Sequence, residues 1–379
     1  MTGQSKQELI NAIRERYQKS SPEGKAVMLT EVCAATGYHR KYAISVLNRP
    51  AAKTVRGARK RQPTYSASAV KILALIWEAA GYPWSVRLRA ILPLWMPWAR
   101  QRVKRLTQDI EEQLLRMSPR QIDRRLQSYK RKLGRRMYGR TKPGSLLKHH
   151  IAVKTDCWDV SEAGYTEIDL VSHSGPAASG EFGYSLNVTD IHTTWVETRA
   201  VMGRGEQGVV GALEQIRSTL PFPLRAIDSD NGSEFINYHL YDYCQERTIT
   251  FTRGRPYKKN DNAHIEQKNW THVRKLMGWE RYDTPEAVAA MNDLYANELR
   301  LMMNFFQPTV KLVRKERIGS KLRRVYDAPT TPLDRLVAQH KTTPPEVQAL
   351  LRQRESLDPF ELSAAIERKL ERIHALRTK

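Results

Sequence analysis

Three carboxylates stand out for the elements that would carry them. Asp230 lies in Ile227-Asp-Ser-Asp-Asn-Gly-Ser-Glu-Phe235, where an apolar run at 224–227 empties into a turn at Asn231-Gly232. Glu266 lies in Lys259-Asn-Asp-Asn-Ala-His-Ile-Glu-Gln-Lys-Asn269, one turn into a helix expected to start near Asn262. Between the two lie 35 residues, 231 to 265. Upstream, Asp169 falls inside the strand-like run Tyr165-Thr-Glu-Ile-Asp-Leu-Val171. Hard divalent cations take oxygen ligands, and Mg²⁺ combines one or two carboxylates with water and substrate phosphate. Two such ions held side by side activate water or a sugar hydroxyl and stabilise the leaving oxygen of an in-line displacement. Asp169, Asp230 and Glu266 are therefore candidate ligands for two Mg²⁺ ions, with Mn²⁺ able to substitute.

One α/β unit has to bring them together. Period-two patterns predict strands at 165–171, 182–190 and 193–201. A helix at 206–219, a strand at 223–228, a helix at 234–246 opened by Ser233 and a strand at 249–252 follow. Three adjacent strands and then strand–helix alternation predict a mixed five-stranded sheet with flanking helices. A loop rich in Gly, Pro and Lys leads into the helix of Glu266, and beyond Thr284-Pro285 a long helix runs to about Phe305. Residues 310–326, with seven cations and one acid, read as a hairpin turning at Gly319-Ser320. Two capped helices end the chain, and Leu362, Ile366, Leu370 and Ile373 form a stripe for the body or for a partner subunit.

The segments before this unit are helical and basic. An amphipathic helix at 7–19 is followed by two short helical patterns around Gly37, as in a helix-turn-helix. Ala43, Val46 and Leu47 would face inward there, leaving His39, Arg40, Lys41 and Ser45 for a DNA groove. Residues 50–64 carry five cations and no acid. A second helical unit holds Trp77, Trp84, Trp95 and Trp98, expected mainly as core, and includes a helix capped at Ser118-Pro119. Residues 121–154 then hold eleven Lys or Arg against one acid, Asp123. Among them Lys130, Arg131, Lys132, Arg135 and Arg136 are candidate phosphate contacts.

The whole chain, at 379 residues, has a formal charge of +23, an excess that marks a polyanionic partner. Cys33, Cys157 and Cys244 are too far apart for a disulfide framework or a zinc spacing. There is no apolar signal core after Met1 and no apolar run of transmembrane length, so a cytoplasmic, nucleoid-associated protein is expected. Double-stranded DNA is the expected partner, with neither a membrane nor a small-molecule substrate.

Ser229-Asp-Asn-Gly-Ser-Glu-Phe235, with Asn262-Ala-His-Ile-Glu266 after that interval, closely resembles the catalytic core of retroviral integrases and bacterial insertion-sequence transposases. The match in layout covers about residues 150–305, and helix-turn-helix units ahead of it resemble the bacterial enzymes. The resemblance implies a ribonuclease-H-like fold whose catalytic triad is, by position, Asp169, Asp230 and Glu266. It also implies metal-dependent cleavage at terminal inverted repeats, transfer of the freed 3′-hydroxyl into target DNA, and a homo-oligomer working on two ends. Asn231 and Gly232 would shape the turn that aims Asp230. Lys258, Lys259, Asn262, Lys268 and Asn269 are candidate DNA contacts. Asp228 competes for the second position, Asp156, Asp159 and Glu167 for the first, and Asp261 reads as a cap or loop residue. The organisation expected is a helix-turn-helix domain (1–60), a second helical domain with a basic linker (61–150), the core (151–305), and a hairpin with a helical tail (306–379). Two other readings stay open: an inactive, transposase-derived DNA-binding regulator, and a structure-selective nuclease on the same fold.

Overall fold

A computed structural model of the chain describes residues 1–49, 65–131, 152–153, 160–230, 235, 237–253, 263–318 and 321–378. By internal contacts the chain divides into two compact units, Met1–Thr64 and Tyr65–Lys379.

The first unit is three helices, α1 (Gly3–Lys19), α2 (Pro22–Thr36) and α3 (Arg40–Asn48). Ser21 caps α2 by accepting from Gly24 N, and Gly37 ends it at φ 70°, a left-handed conformation that costs glycine no Cβ clash. Ile10, Tyr17, Leu29, Val32, Ala43, Val46 and Leu47 make its core. The inward face of α3 is thus the one its sequence predicts, and His39, Arg40, Lys41 and Ser45 are exposed.

The second unit begins with α4 (Ala67–Ala79), α5 (Ser85–Arg102), α6 (Gln108–Arg116) and α7 (Pro119–Lys130). Ser66, Thr107 and Ser118 cap α4, α6 and α7 through their hydroxyl oxygens. Trp77 and Trp95 are core residues as expected, whereas Trp84 is half exposed.

Then comes a sheet of β1 (Ala152–Val153), β2 (Tyr165–Ser172), β3 (Gly183–Asp190), β4 (Val196–Met202), β5 (Ala226–Ser229) and β6 (Thr250–Arg253). Its order is β1-β6-β5-β2-β3-β4. β2, β3 and β4 form an antiparallel meander, while β5 lies parallel to β2, and β6 parallel to β5. The sheet is mixed as predicted, but it has six strands rather than five, because two residues of the basic segment pair along β6.

Alternation along the strands sorts the two faces. Ile168, Leu186, Val188 and Ile227 pack under α8 (Glu206–Thr219) and α9 (Tyr238–Glu246). Helix α9 starts at Tyr238, not at residue 234: Asn237 is its cap, accepting from Leu240 N at 2.9 Å, and Phe235 is buried in the turn before it. Val171 and Ala200, on the opposite face, belong to a core shared with α4–α7, the long helix 285–306 and the tail helices. That long helix begins regularly at Pro285 and includes wider π-helical turns at Tyr295–Leu299 and Met302–Phe306. Leu362, Ile366 and Ile373 of the last helix, Pro359–Ala375, are buried in the same core, so the tail stripe packs on the body. Strands Leu312–Ile318 and Lys321–Tyr326 form the separate antiparallel hairpin.

Candidate active site

Two of the three carboxylates belong to neighbouring segments of the sheet. Parallel β2 and β5 pair Glu167 with Asp228 and Ile168 with Ser229. Asp169 is the next residue of β2, and Asp230 is the residue that follows the end of β5. Both are partly exposed, whereas Glu167 and Asp228, two residues back on the same face, are each 1% exposed.

The two rivals are engaged in holding the scaffold. Thr252 Oγ1 donates to Asp228 Oδ1 at 2.6 Å, tying β5 to β6. Glu167 Oε2 accepts from the backbone N of Ile265 at 3.0 Å and so anchors the start of α10 (Ala263–Lys268) to β2. An acid at a helix N-terminus satisfies an otherwise unpaired N–H and faces the positive end of the helix dipole. Asp156, Asp159 and Asp261 lie outside the described residues.

Helix α10 continues through a π-helical stretch, Asn269–Arg274, and ends at Met277. Four residues beyond Ile265 a second anchor holds it. Asn269 Nδ2 donates to Asp169 Oδ2 at 2.5 Å, and Asn269 Oδ1 accepts from Asn187 Nδ2 at 2.9 Å. Asn187 stands opposite Asp169 on β3, and Thr198 opposite Asn187 on β4. A polar row thus crosses three strands and ends on Asp169. Glu266 lies between the two anchors in the chain; its backbone is in α10, and its side chain is outside what the structure describes.

Arg274, which motif reading did not single out, is close enough to Asp169 to feel its charge and reaches Ser172 Oγ of the same strand at 3.5 Å. Burial pushes its pKa down to about 10, opposed by the negative charge of Asp169 and the nearby Tyr295. Its guanidinium lies 4.1 Å from the centre of the Trp279 ring. Its sequence signal was slight, one Arg two turns beyond Glu266 in a chain full of Arg.

Lys268 is corrected. It is 6% exposed, its Nζ donates to Thr194 O at 3.3 Å, and burial with the neighbouring Arg87 and Arg335 charges brings its pKa down to about 7. A side chain so enclosed is not on the outer surface, where a contact along a duplex backbone is expected. Asn269 likewise serves Asp169 rather than a base or phosphate. Lys130 is half-buried and pairs with Asp123 at 2.6 Å, and Arg131 is exposed. His39 caps α3 by accepting from Lys41 N. Asn231, Gly232, Lys132, Arg135, Arg136, Lys258, Lys259 and Asn262 lie outside the described residues. No helix among the described residues is long and apolar enough to cross a membrane.

The molecule is thus an α/β protein with a mixed sheet, acids on β2 and just beyond the end of the neighbouring β5, and a helix anchored to the acids of β2. The chain belongs to the same family as the uncharacterized protein y4rM of Sinorhizobium fredii (strain NBRC 101917 / NGR234). The two are 38% identical over 331 residues, which is 86% of this chain and 94% of the relative. No protein-family model matches the chain. Among solved structures it is similar to the catalytic core domain of BIV integrase, at 15% identity and a TM-score of 0.29 over 45% of this chain and 91% of that one. It is also similar to the HTLV-2 integrase catalytic core domain in complex with magnesium, again at 15% identity and 0.29, over 39% and 91%. Likenesses this distant carry no weight for the chemistry, which rests on the sheet and its side chains.

Proposed function

We propose that the chain is a transposase: a metal-dependent polynucleotidyl transferase on a ribonuclease-H-like core, with Asp169, Asp230 and Glu266 as its catalytic triad. One observation carries the reading. Asp169 on β2 and Asp230, the residue that follows β5, continue the parallel pairing of those two strands, and the helix of Glu266 is tied to β2 on either side of it, by Ile265 to Glu167 and by Asn269 to Asp169. The strand order, a three-stranded meander followed by two parallel strands on the inner edge, supports the core assignment.

The donor set suits Mg²⁺. Its first two members are partly exposed carboxylates, with the amide of Asn269 on Asp169 and no thiol beside them among the described residues, which is the chemistry of a hard cation. Bound there, two ions would lower the cost of generating an oxygen nucleophile and of expelling the leaving oxygen. The protein's share is positioning. Asn269 fixes the carboxylate of Asp169, Thr252 and Asp228 fix the strand leading to Asp230, and Glu167 fixes the entry of α10. The basic segments hold the duplex by its phosphates, and α3 of the first unit offers His39, Arg40, Lys41 and Ser45 to a groove. The substrate is element-end DNA, cut to free a 3′-hydroxyl that is joined to a target, by a homo-oligomer in the bacterial cytoplasm.

Asp230→Asn tests this. In Mg²⁺ the variant should lose cleavage and joining of element ends while its affinity for those ends stays unchanged. Full joining activity in the variant would overturn the assignment.

A further inference from the structure

Behind α10, away from the acidic pair, lies a cavity of about 300 Å³. It opens where residues 78–87, α10, the long helix and the last helix meet. Its lining includes the basic side chains Arg87, Lys268, His272 and Lys275, with the hydroxyl of Thr271 among them and the neutral polar groups of Tyr82, Gln267, Gln307, Thr309 and Ser363 around them. Lys268 and His272 are each 6% exposed. Lys275 is exposed at the mouth, where its Nζ donates to Gly81 O. The acids that also line the cavity, Glu78 and Glu367, are exposed. Among the described residues none of Arg87, Lys268 and His272 is paired with a carboxylate, and the buried Nε of Arg87 has no hydrogen-bond partner.

Cations gathered without a directly paired carboxylate repel one another, and a buried donor without an acceptor is costly. Both are relieved by one anion. We propose that this cavity binds a phosphate or diphosphate group, carried by a free small molecule or by a DNA terminus. A guanidinium, ammonium groups and a hydroxyl together are the donors a tetrahedral oxyanion takes. The volume sits at the lower end of small-ligand pockets, enough for one or two phosphoryl groups with a small organic part and too small for a duplex. The proximity of the basic groups has its own sign: after burial, the charge of Arg87 lowers the pKa of Lys275, and those of Lys268 and Arg87 lower that of His272, which enters the site as a neutral imidazole. The occupant would brace the helix that carries Glu266 and Asn269, yet the site stands whether or not those residues are catalytic.

Titration calorimetry of the full chain with inorganic pyrophosphate, at constant ionic strength, tests it. Wild-type protein should bind one equivalent saturably. Arg87→Gln and Lys275→Gln should each weaken binding about tenfold or more, while Lys71→Gln, an exposed cation on α4, should not. Lys275 lies at the mouth, so its variant keeps the test alive if Arg87→Gln does not fold. Equal affinity in wild type and both cavity variants, or an equal loss in Lys71→Gln, would overturn the proposal. Competition by 5′-phosphorylated against 5′-hydroxyl duplexes separates the sources. A preference for the phosphorylated end that Arg87→Gln removes assigns the DNA terminus, and no preference beside lost pyrophosphate binding assigns a free ligand.

Discussion

Asn269 is where the candidate site is most open to a quantitative test, because one side chain does two jobs. It donates to Asp169 at 2.5 Å and accepts from Asn187, a residue with no exposure at all. Asn269→Ala removes a bond to a carboxylate, about 1.5–3 kcal/mol, and leaves a buried amide without its acceptor, about 1–3 kcal/mol. The two overlap, so a net loss of about 3 kcal/mol is expected. Asn269→Asp keeps an oxygen for Asn187 but sets a second carboxylate within hydrogen-bond reach of Asp169. Two acids that close share a proton, so the folded-state pKa of the pair rises above its unfolded value. A raised folded pKa gives stability that is present at acid pH and lost as pH rises through that value. Urea unfolding at about pH 5 and about pH 8, with and without millimolar Mg²⁺, reads both effects. The Asp variant should lose stability toward the higher pH, and Mg²⁺ should restore more of it than it adds to wild type. An Ala variant within about 0.5 kcal/mol of wild type, or an Asp variant indifferent to pH, would refute the linkage drawn between α10 and Asp169.

Two further outcomes concern the scaffold. His173 is fully buried, with Nε2 2.7 Å from Ser185 Oγ, and burial followed by the charge of Arg274 lowers its pKa to about 3. The unfolded chain then takes up the proton first, so this residue's contribution is present above about pH 6.5 and lost as pH falls toward 3. His173→Gln should flatten the fall in urea midpoint between about pH 6.5 and 4, by up to about 3 kcal/mol, and an unchanged slope would count against that burial. Trp95 is fully buried on α5, with its ring centre 4.9 Å from that of Phe360 in the last helix. Trp95→Ala should cost about 3–5 kcal/mol and lower one cooperative transition; a separate early transition for residues 65–131 would show that these helices do not share the core of the sheet.

What could be read from the sequence was local. The helix at 206–219 and the strand from Tyr165 carry periodic apolar faces, and their observed bounds, Glu206–Thr219 and Tyr165–Ser172, follow those patterns. A cap is also local, yet Ser233 and Asn237 are both good caps four residues apart. The choice of Asn237 for α9 goes with the complete burial of Phe235, a tertiary fact. The pairing of β2 with β5 is a tertiary fact too: alternation shows which residues share a face of one strand, but not which neighbour each one meets.

Helix α10 shows the limit most clearly. Apolar patterning identifies a buried face when a helix has one, but α10 is covered on two sides. Ile265 and Asn269 meet the sheet, while Lys268 and His272 line a cavity against other helices. A cation two residues from an expected metal ligand therefore looked like a DNA contact and is instead enclosed. Counting by 3.6 fails as well once the helix widens at Asn269–Arg274, because each π-turn shifts the later residues relative to the face set by Glu266. Such widened turns have a cost that neighbouring contacts must offset, and here Asn269 bonded to Asp169 supplies one from the sheet and Lys275 Nζ bonded to Gly81 O one from the other side. The stretch that defeats sequence spacing is thus the one that joins Asp169 to the cavity lined by Arg87, Lys268 and Lys275, and changes on either side should be felt through it.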